Sequence, residues 1–321
     1  MAERNMVEAL NNALFLAFEK DESVVMLGED VGVDGGVFRV SDGLLAKFGN
    51  RVMDTPVAEA AIVGVAVGMA IKGLKPIAEM QFSGFIYPAF QEIISHASRM
   101  RTRSRGLYTA QIVIRSPNGG GINALEHHSE SLEAIYAHIP GLKVVIPSNP
   151  YDAKGLLLAA INDPDPVLFL EPTKLYRAFR QEVPDNYYEV PLGTASVMLK
   201  GNDITIIAWG GMVPVAQDAA SQVDFSCEII DLRSISPWDK KTIIESVKKT
   251  GRAVIIHEAI KTGGFGAEIA ASIQEECLES LQAPVGRVAA PDIIVPLLKS
   301  EPFYRPNSEM LVAKLKELMK F

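Results

Sequence analysis

The sequence predicts an α/β protein of two domains, each a parallel sheet held between two layers of helix. Short apolar runs alternate with helix-period patterns along nearly the whole chain, as expected of parallel strands joined by helical crossovers. The 321 residues exceed what one core of roughly 100–200 residues requires. The alternation lapses once, from Glu171 to Asn202, in a stretch that includes Pro172, Pro184 and Pro191. These observations place a first domain at residues 1–180, a linker at 181–202 and a second domain at 203–321.

In the first domain a helical pattern covers Met6–Phe18. Strands are expected at Val24–Leu27, Ile77–Met80, Gln111–Ile114, Lys143–Ile146 and Val167–Leu170, each a short apolar run. Helical patterns separate them at Pro56–Lys72, Pro88–Arg105, Leu132–His138 and Tyr151–Ile161. In the second domain, strands at Ile204–Ala208, Glu228–Leu232, Ala253–His257 and Val285–Ala289 alternate with helices near Val213–Ser221, Lys240–Lys249 and Ala267–Cys277. An amphipathic helix, Glu309–Met319, follows, and no short internal repeat is present.

Open parallel sheets bind ligands beyond the carboxyl ends of their strands. The residues there are Gly28-Glu29-Asp30, Gln81-Phe82-Ser83-Gly84-Phe85 and Arg115-Ser116-Pro117-Asn118-Gly119-Gly120-Gly121. Acids, aromatics and glycines thus gather on one edge.

Composition narrows the function. The chain is 48% hydrophobic and 22% charged, enough to bury a large core, and its net charge is −8. The densest basic stretch is Arg99, Arg101, Arg103 and Arg105, whose spacing of two scatters them around a helix, so nucleic acid is not an expected partner. Cys227 and Cys277 stand far apart, which suggests neither a zinc pair nor a disulfide framework. The N-terminus lacks the apolar core of a signal peptide, and Ala60–Ile71 is too short to span a bilayer. A cytoplasmic protein without a membrane partner is expected.

Glu59 is the residue that most demands an explanation. Thr55 suits an N-cap and Pro56 a first helical position, which puts Glu59 one position past the capping-box slot. The helix then runs from Ala60 to Ile71 without a charge. A carboxylate among small apolar side chains must find a donor or take up a proton, and Glu59 looks placed to bond something outside this chain. Gly64 and Gly68, four apart, each cost about 1 kcal/mol relative to alanine. Their spacing suits a close helix crossing, either within the domain or at a subunit interface.

Other motifs weigh less. Gly119–Ala124 loosely fits a dinucleotide fingerprint, but no clear helix opens there and the next strand ends without a ribose-binding acid, so the reading is rejected. Gly263-Gly264-Phe265-Gly266 is read as a tight turn and Gly35-Gly36-Val37-Phe38 as a flexible one. Adjacent His127 and His128 make a poor metal pair. One of them can face a cleft as an acid, a base or a donor, and His128 is favoured by its place on the ligand edge.

Taken in order, Gly28-Glu29-Asp30-Val31-Gly32, Asp54-Thr55-Pro56-Val57-Ala58-Glu59, Gln81-Phe82-Ser83-Gly84-Phe85, Arg115-Ser116-Pro117, His128-Ser129, Pro140–Val145, Asp152–Leu156, Asp231-Leu232-Arg233 and Ala289–Asp292 form a specific set. Over essentially the whole chain this set resembles the beta subunit of the thiamine-diphosphate-dependent component of 2-oxo acid dehydrogenase complexes. The resemblance implies a pyrimidine-binding first domain and a second domain of the transketolase C-terminal type. It also implies that Glu59 hydrogen-bonds a ring nitrogen of the cofactor's aminopyrimidine and that Phe85 stacks on that ring. Glu29 becomes a nearby supporting acid and Gln81 a further cofactor-side residue, while His128 faces the substrate and the incoming lipoyl group. A structural potassium ion would lie on the main-chain oxygens of Ile112, Ala160, Ile161, Asp163 and Asp165.

The expected reaction is decarboxylation of a 2-oxo acid followed by acylation of a lipoyl domain. The resemblance implies a two-alpha, two-beta tetramer in which the alpha subunit holds magnesium, docked on an acyltransferase core. His127-His128-Ser129-Glu130-Ser131 inclines the substrate reading toward branched-chain 2-oxo acids, with pyruvate as the alternative. A split transketolase-type subunit and a non-catalytic assembly protein are the other readings.

Overall fold

The computed structural model describes all 321 residues. The first domain is built on a seven-stranded sheet in the order 234–236, 143–145, 167–172, 113–118, 75–79, 24–28, 52–54, parallel except for its first strand. The central strands are buried on both faces, which is why they read as unbroken apolar runs. One face is covered by the helices Met6–Lys20 and Pro150–Asn162, the other by Glu59–Ile71 and the segments that follow it. The Met6–Lys20 helix starts at a capping box, with Glu8 N–H donating to Asn5 Oδ1 and Asn5 N–H to Glu8 Oε2, both at 3.0 Å.

The second sheet runs 286–290, 253–260, 204–208, 227–231, 196–199, with only the last strand antiparallel. Met212–Ser221 and Ser308–Leu318 cover one face, Lys240–Thr250 and Gly266–Cys277 the other. Both domains are therefore three-layer α/β units, as the sequence predicts. One hydrophobic cluster, including Ile62, Ile114, Trp209, Ile230 and Ile269, is continuous from one domain into the other. No helix is long and apolar enough to cross a membrane.

Four expectations need correction. The stretch 181–202 is not a bare linker: Gln181–Val183 pairs with Ala2–Arg4, and Ser196–Leu199 is an edge strand of the second sheet. Ser234–Ser236 crosses back to pair with Lys143–Val145, so the first sheet takes a strand from beyond residue 203. Pro88–Arg105 is not one helix but a 3₁₀ segment Ser83–Ala89, a π segment Glu92–Ala97 and a short α turn Met100–Arg103. The helix read from Pro56 begins instead at Glu59, with Ala58 at its cap. Thr55 N–H donates to Gly28 O at 2.9 Å, and Asp54 beside it accepts from Gly32 N–H and Val33 N–H at 2.6 and 3.1 Å.

The domains also meet through a buried polar contact. Trp209 Nε1–H donates to Glu133 Oε1 at 3.2 Å, and the indole stacks on His257 with centroids 5.3 Å apart. Burial pushes the Glu133 carboxyl up from 4.5 to about 7. The native protein thus keeps a proton that the unfolded chain has already released, so stability falls as pH rises from 4.5 to about 7 and the loss is complete above that. Glu133→Gln, which never ionises, is expected to be more stable than the parent at pH 8 by on the order of 3 kcal/mol, with no gain near pH 4. Urea midpoints at the two pH values check this; an effect independent of pH would refute it.

Candidate active site

The site is built at the carboxyl edge of the first sheet. Beneath it lies an ion cluster that sequence reasoning did not find. Arg115, fully buried within the strand Val113–Asn118, makes a bidentate pair with Glu171 (Nε–Oε1 2.8 Å, Nη2–Oε2 2.7 Å) and donates through Nη1 to Glu79. Tyr176 Oη donates to Glu171 Oε2 at 2.6 Å. Burial works against the guanidinium charge, but Glu171 outweighs it and holds the Arg115 pKa above its ordinary value. Three neighbouring strands are thereby pinned at one level, and removing any one partner would strand a buried charge. Arg115, Ser116 and Pro117 are strand residues, not part of the loop beyond it.

Above this floor, Glu29 is buried and its pKa is raised, first by burial and then by the charges of Glu59 and Asp30. Asp30 adopts φ 56° and accepts from Gln81 Nε2 at 3.3 Å. Glu59 is half-buried in the first turn of its helix, and its carboxylate enters no hydrogen bond or ion pair with the rest of the chain. Glu29, Glu59, Asp30 and Gln81 therefore form one polar wall.

A second cluster at this edge is aromatic. The 3₁₀ turn Ser83–Ala89 presents Phe85, whose ring stands edge-on to Phe82 at 5.6 Å. His128 lies edge-on to both rings, 4.4 Å from Phe82 and 5.0 Å from Phe85. Its Nδ1 is buried without a partner, whereas His127 is exposed. The histidine segment is laid over the aromatic turn by Ser83 Oγ, which donates to Glu130 O at 2.9 Å. Gly84 permits this approach, because a Cβ there would collide with the His127 carbonyl. Phe82, not singled out from sequence, thus packs closer to His128 than Phe85 does; the Phe-x-x-Phe spacing was the available signal.

The structure does not use the glycine pair of the Glu59 helix for packing within the chain. A Cβ at Gly68 would meet nothing within 4 Å, and one at Gly64 only the Glu92 carboxylate, at 3.7 Å. The nearby Val65 side chain is 49% exposed, so this ridge faces outward.

The five residues of the potassium expectation are drawn together around the strand Val167–Pro172. Ile112 O accepts from Val167 N–H and Ile161 O from Gln111 Nε2, each at 3.0 Å, while Ala160 O accepts from Asp163 N–H at 3.2 Å. Asp163 pairs with Lys143, and Asp165 with Arg101 at 2.7 Å. The Asp163 and Asp165 side chains are thus each paired with a cation of the chain itself. Nowhere do three or more His, Cys, Asp or Glu side chains converge as metal ligands.

The chain matches the family described as "Transketolase, pyrimidine binding domain" over residues 2–178 and "Transketolase, C-terminal domain" over residues 193–310. It is 54% identical over 324 residues to the pyruvate dehydrogenase E1 component subunit beta of Acholeplasma laidlawii, covering 100% of this chain and 99% of that one. The chain belongs to the beta subunits of 2-oxo acid dehydrogenase E1 components. The corresponding subunit of Mycoplasma pneumoniae is 53% identical, with 98% of each chain covered, and that of Staphylococcus aureus 49% identical, with 100% of each. Among solved structures, a split-gene transketolase described as an inactive beta4 tetramer superposes with a TM-score of 0.79 at 22% identity, covering 99% of both chains. Transketolase from Leishmania mexicana gives 0.72 at 15% identity, covering all of this chain and 46% of that one. These two likenesses speak for the fold alone.

A thiamine-dependent beta subunit must offer an acceptor for a heterocycle and an apolar surface for its ring. The free carboxylate of Glu59 and the Phe82–Phe85–His128 wall match that requirement in kind.

Proposed function

We propose that this chain is the beta subunit of a pyruvate dehydrogenase E1 component, working with an alpha subunit on shared thiamine diphosphate. The observation that carries the reading is full-length identity of 49–54% to three subunits of that name. The branched-chain expectation rested on the five residues 127–131 alone, and pyruvate replaces it as the substrate. The split-transketolase reading has only fold likeness behind it.

When bound, the cofactor supplies the carbanion chemistry of decarboxylation. This chain's residues bind and orient it. Glu59 accepts from, and shares a proton with, the pyrimidine ring nitrogen. Phe85 presents an aromatic face to the ring, and Gln81 holds Asp30 on the polar wall. Glu29, its pKa raised first by burial and then by the charge of Glu59, stands beside that carboxylate as a supporting acid. His128, half-buried with a free Nδ1, orients the 2-oxo acid and moves a proton when the acyl group passes to a lipoyl domain. The alpha subunit holds magnesium and the diphosphate, an acyltransferase core docks the second domain, and the complex works in the cytoplasm.

Steady-state rates with the cognate alpha chain test the proposal. Pyruvate is expected to exceed 2-oxoisovalerate in kcat/KM by at least about tenfold, since a pocket sized for one methyl group rejects a larger branched chain by overpacking. A preference for 2-oxoisovalerate would restore the branched-chain reading.

A further inference from the structure

Gly119-Gly120-Gly121 leaves the end of the strand Val113–Asn118, and its three successive N–H groups have three different acceptors. Gly119 N–H donates to Glu130 O at 2.9 Å, Gly120 N–H to Glu258 Oε1 at 2.7 Å and Gly121 N–H to Glu301 Oε1. Glu258 lies on the strand Ala253–Ile260 and Glu301 opens the turn Glu301–Tyr304, so two of the three acceptors come from the second domain. Arg305 holds Glu258 in place, with Nε donating to Oε1 at 3.0 Å and Nη2 to Oε2 at 3.3 Å. From the first domain, Thr173 Oγ1 contacts the Asn118 and Gly119 carbonyls at 3.0 and 2.7 Å.

The glycines are needed for this approach. A Cβ at Gly120 would fall 2.5 Å from Glu301 Oε1, and one at Gly119 3.0 Å from Glu258 Oε1. A run that loosely resembled a nucleotide loop is thus a concavity of backbone donors, and the protein's own carboxylates fill it.

The same backbone supports the histidine segment. The Gly119–Glu130 bond closes the loop that carries His127 and His128, and the Cβ position of Gly120 lies 3.5 Å from Ser129 Cβ. We propose that Glu258, Glu301 and Arg305 are positioning residues: acting through the Gly119–Gly121 backbone, they fix the His127–Ser131 segment, so that the second domain sets where His128 stands. The catalytic consequence rests on the role given to His128 above; the mechanical one does not.

Hydrogen–deuterium exchange on the full chain separates the two. In Glu301→Ala and Glu258→Ala, amides of residues 119–131 are expected to exchange at least roughly tenfold faster, while the Glu59–Ile71 helix keeps its parent rate. Glu301→Gln retains an acceptor oxygen for Gly121 N–H and should restore most of the protection. Gly120→Ala should free the segment in the parent background and add little to Glu301→Ala, because the atom it collides with is gone. Gly120→Ala and Glu301→Gln decide the matter if the alanine variants do not fold. Unchanged exchange at 119–131 would overturn the proposal. So would a uniform rise across both domains, which would assign the three residues to overall stability. In the assembled enzyme, the loosened variants should lose reductive acylation without losing cofactor affinity. If the chain proves to have another activity, the exchange result still stands.

Discussion

Glu59→Gln is expected to lower turnover of the assembled enzyme by roughly 10²–10⁴-fold, the contribution typical of a positioned acid–base group, while the fold survives. The amide keeps the size of the side chain and an acceptor oxygen but cannot exchange a proton with a ring nitrogen. Little stability is at risk, because the carboxylate has no partner within the chain and is only half-buried. The structural cost is limited to losing an acid from the first helical turn, about 0.3–1 kcal/mol at most. The substitution should also lower the Glu29 pKa, since the Glu59 charge is one of the causes raising it. Turnover at saturating cofactor, set beside a thermal melt, checks the prediction. Near-normal rates at full cofactor occupancy would remove Glu59 from the chemistry.

The parts of the structure that could be read from sequence are those fixed by local pattern. Strands such as Val24–Gly28 and Val167–Pro172 are buried on both faces, so their composition alone marks them. The helix start at Glu59 was missed because it depends on Asp54 gripping Gly32 and Val33 across 22 and 21 residues. No capping rule sees that contact. Pro88–Arg105 carries a helical pattern, yet its backbone is divided among 3₁₀, π and α turns. Arg115 meets Glu79 and Glu171 across 36 and 56 residues, and the pairing appears only once the strands lie side by side. The glycine triplet was visible, but its partners stand 138 and 180 residues away in the other domain. Glu59, Phe85, Glu29, Gln81 and His128 were named through family likeness more than through spacing. The fold brings them to one edge of one sheet, where His128 lies edge-on to both Phe82 and Phe85.

The purified chain alone is expected to be inactive and to bind thiamine diphosphate too weakly to hold it at physiological concentration. Affinity for a diphosphate ester comes chiefly from its charge, which thiamine enzymes meet through magnesium bridged to protein oxygens. Those enzymes supply the oxygens from a Gly-Asp-Gly segment followed by an asparagine, and no Gly-Asp-Gly occurs in these 321 residues. The nearest string, Gly28-Glu29-Asp30, is already engaged: Glu29 is buried beside Glu59, and Asp30 is bonded to Gln81. No acidic or histidine cluster elsewhere could take the metal. On the proposed function this chain offers polar and aromatic side chains to the pyrimidine, and a partner is expected to supply the diphosphate half. The outward ridge of Gly64, Val65 and Gly68 beside Glu59 suits such a partner, since small residues let a second backbone approach closely. An obligate interface of this kind buries roughly 2,000 Å² or more. Calorimetric titration of cofactor with magnesium, into this chain alone and into its complex with the alpha subunit, is the direct test. Heat of tight binding should appear only with the complex. Tight magnesium-dependent binding to this chain alone would place the diphosphate site here and end the split-site account.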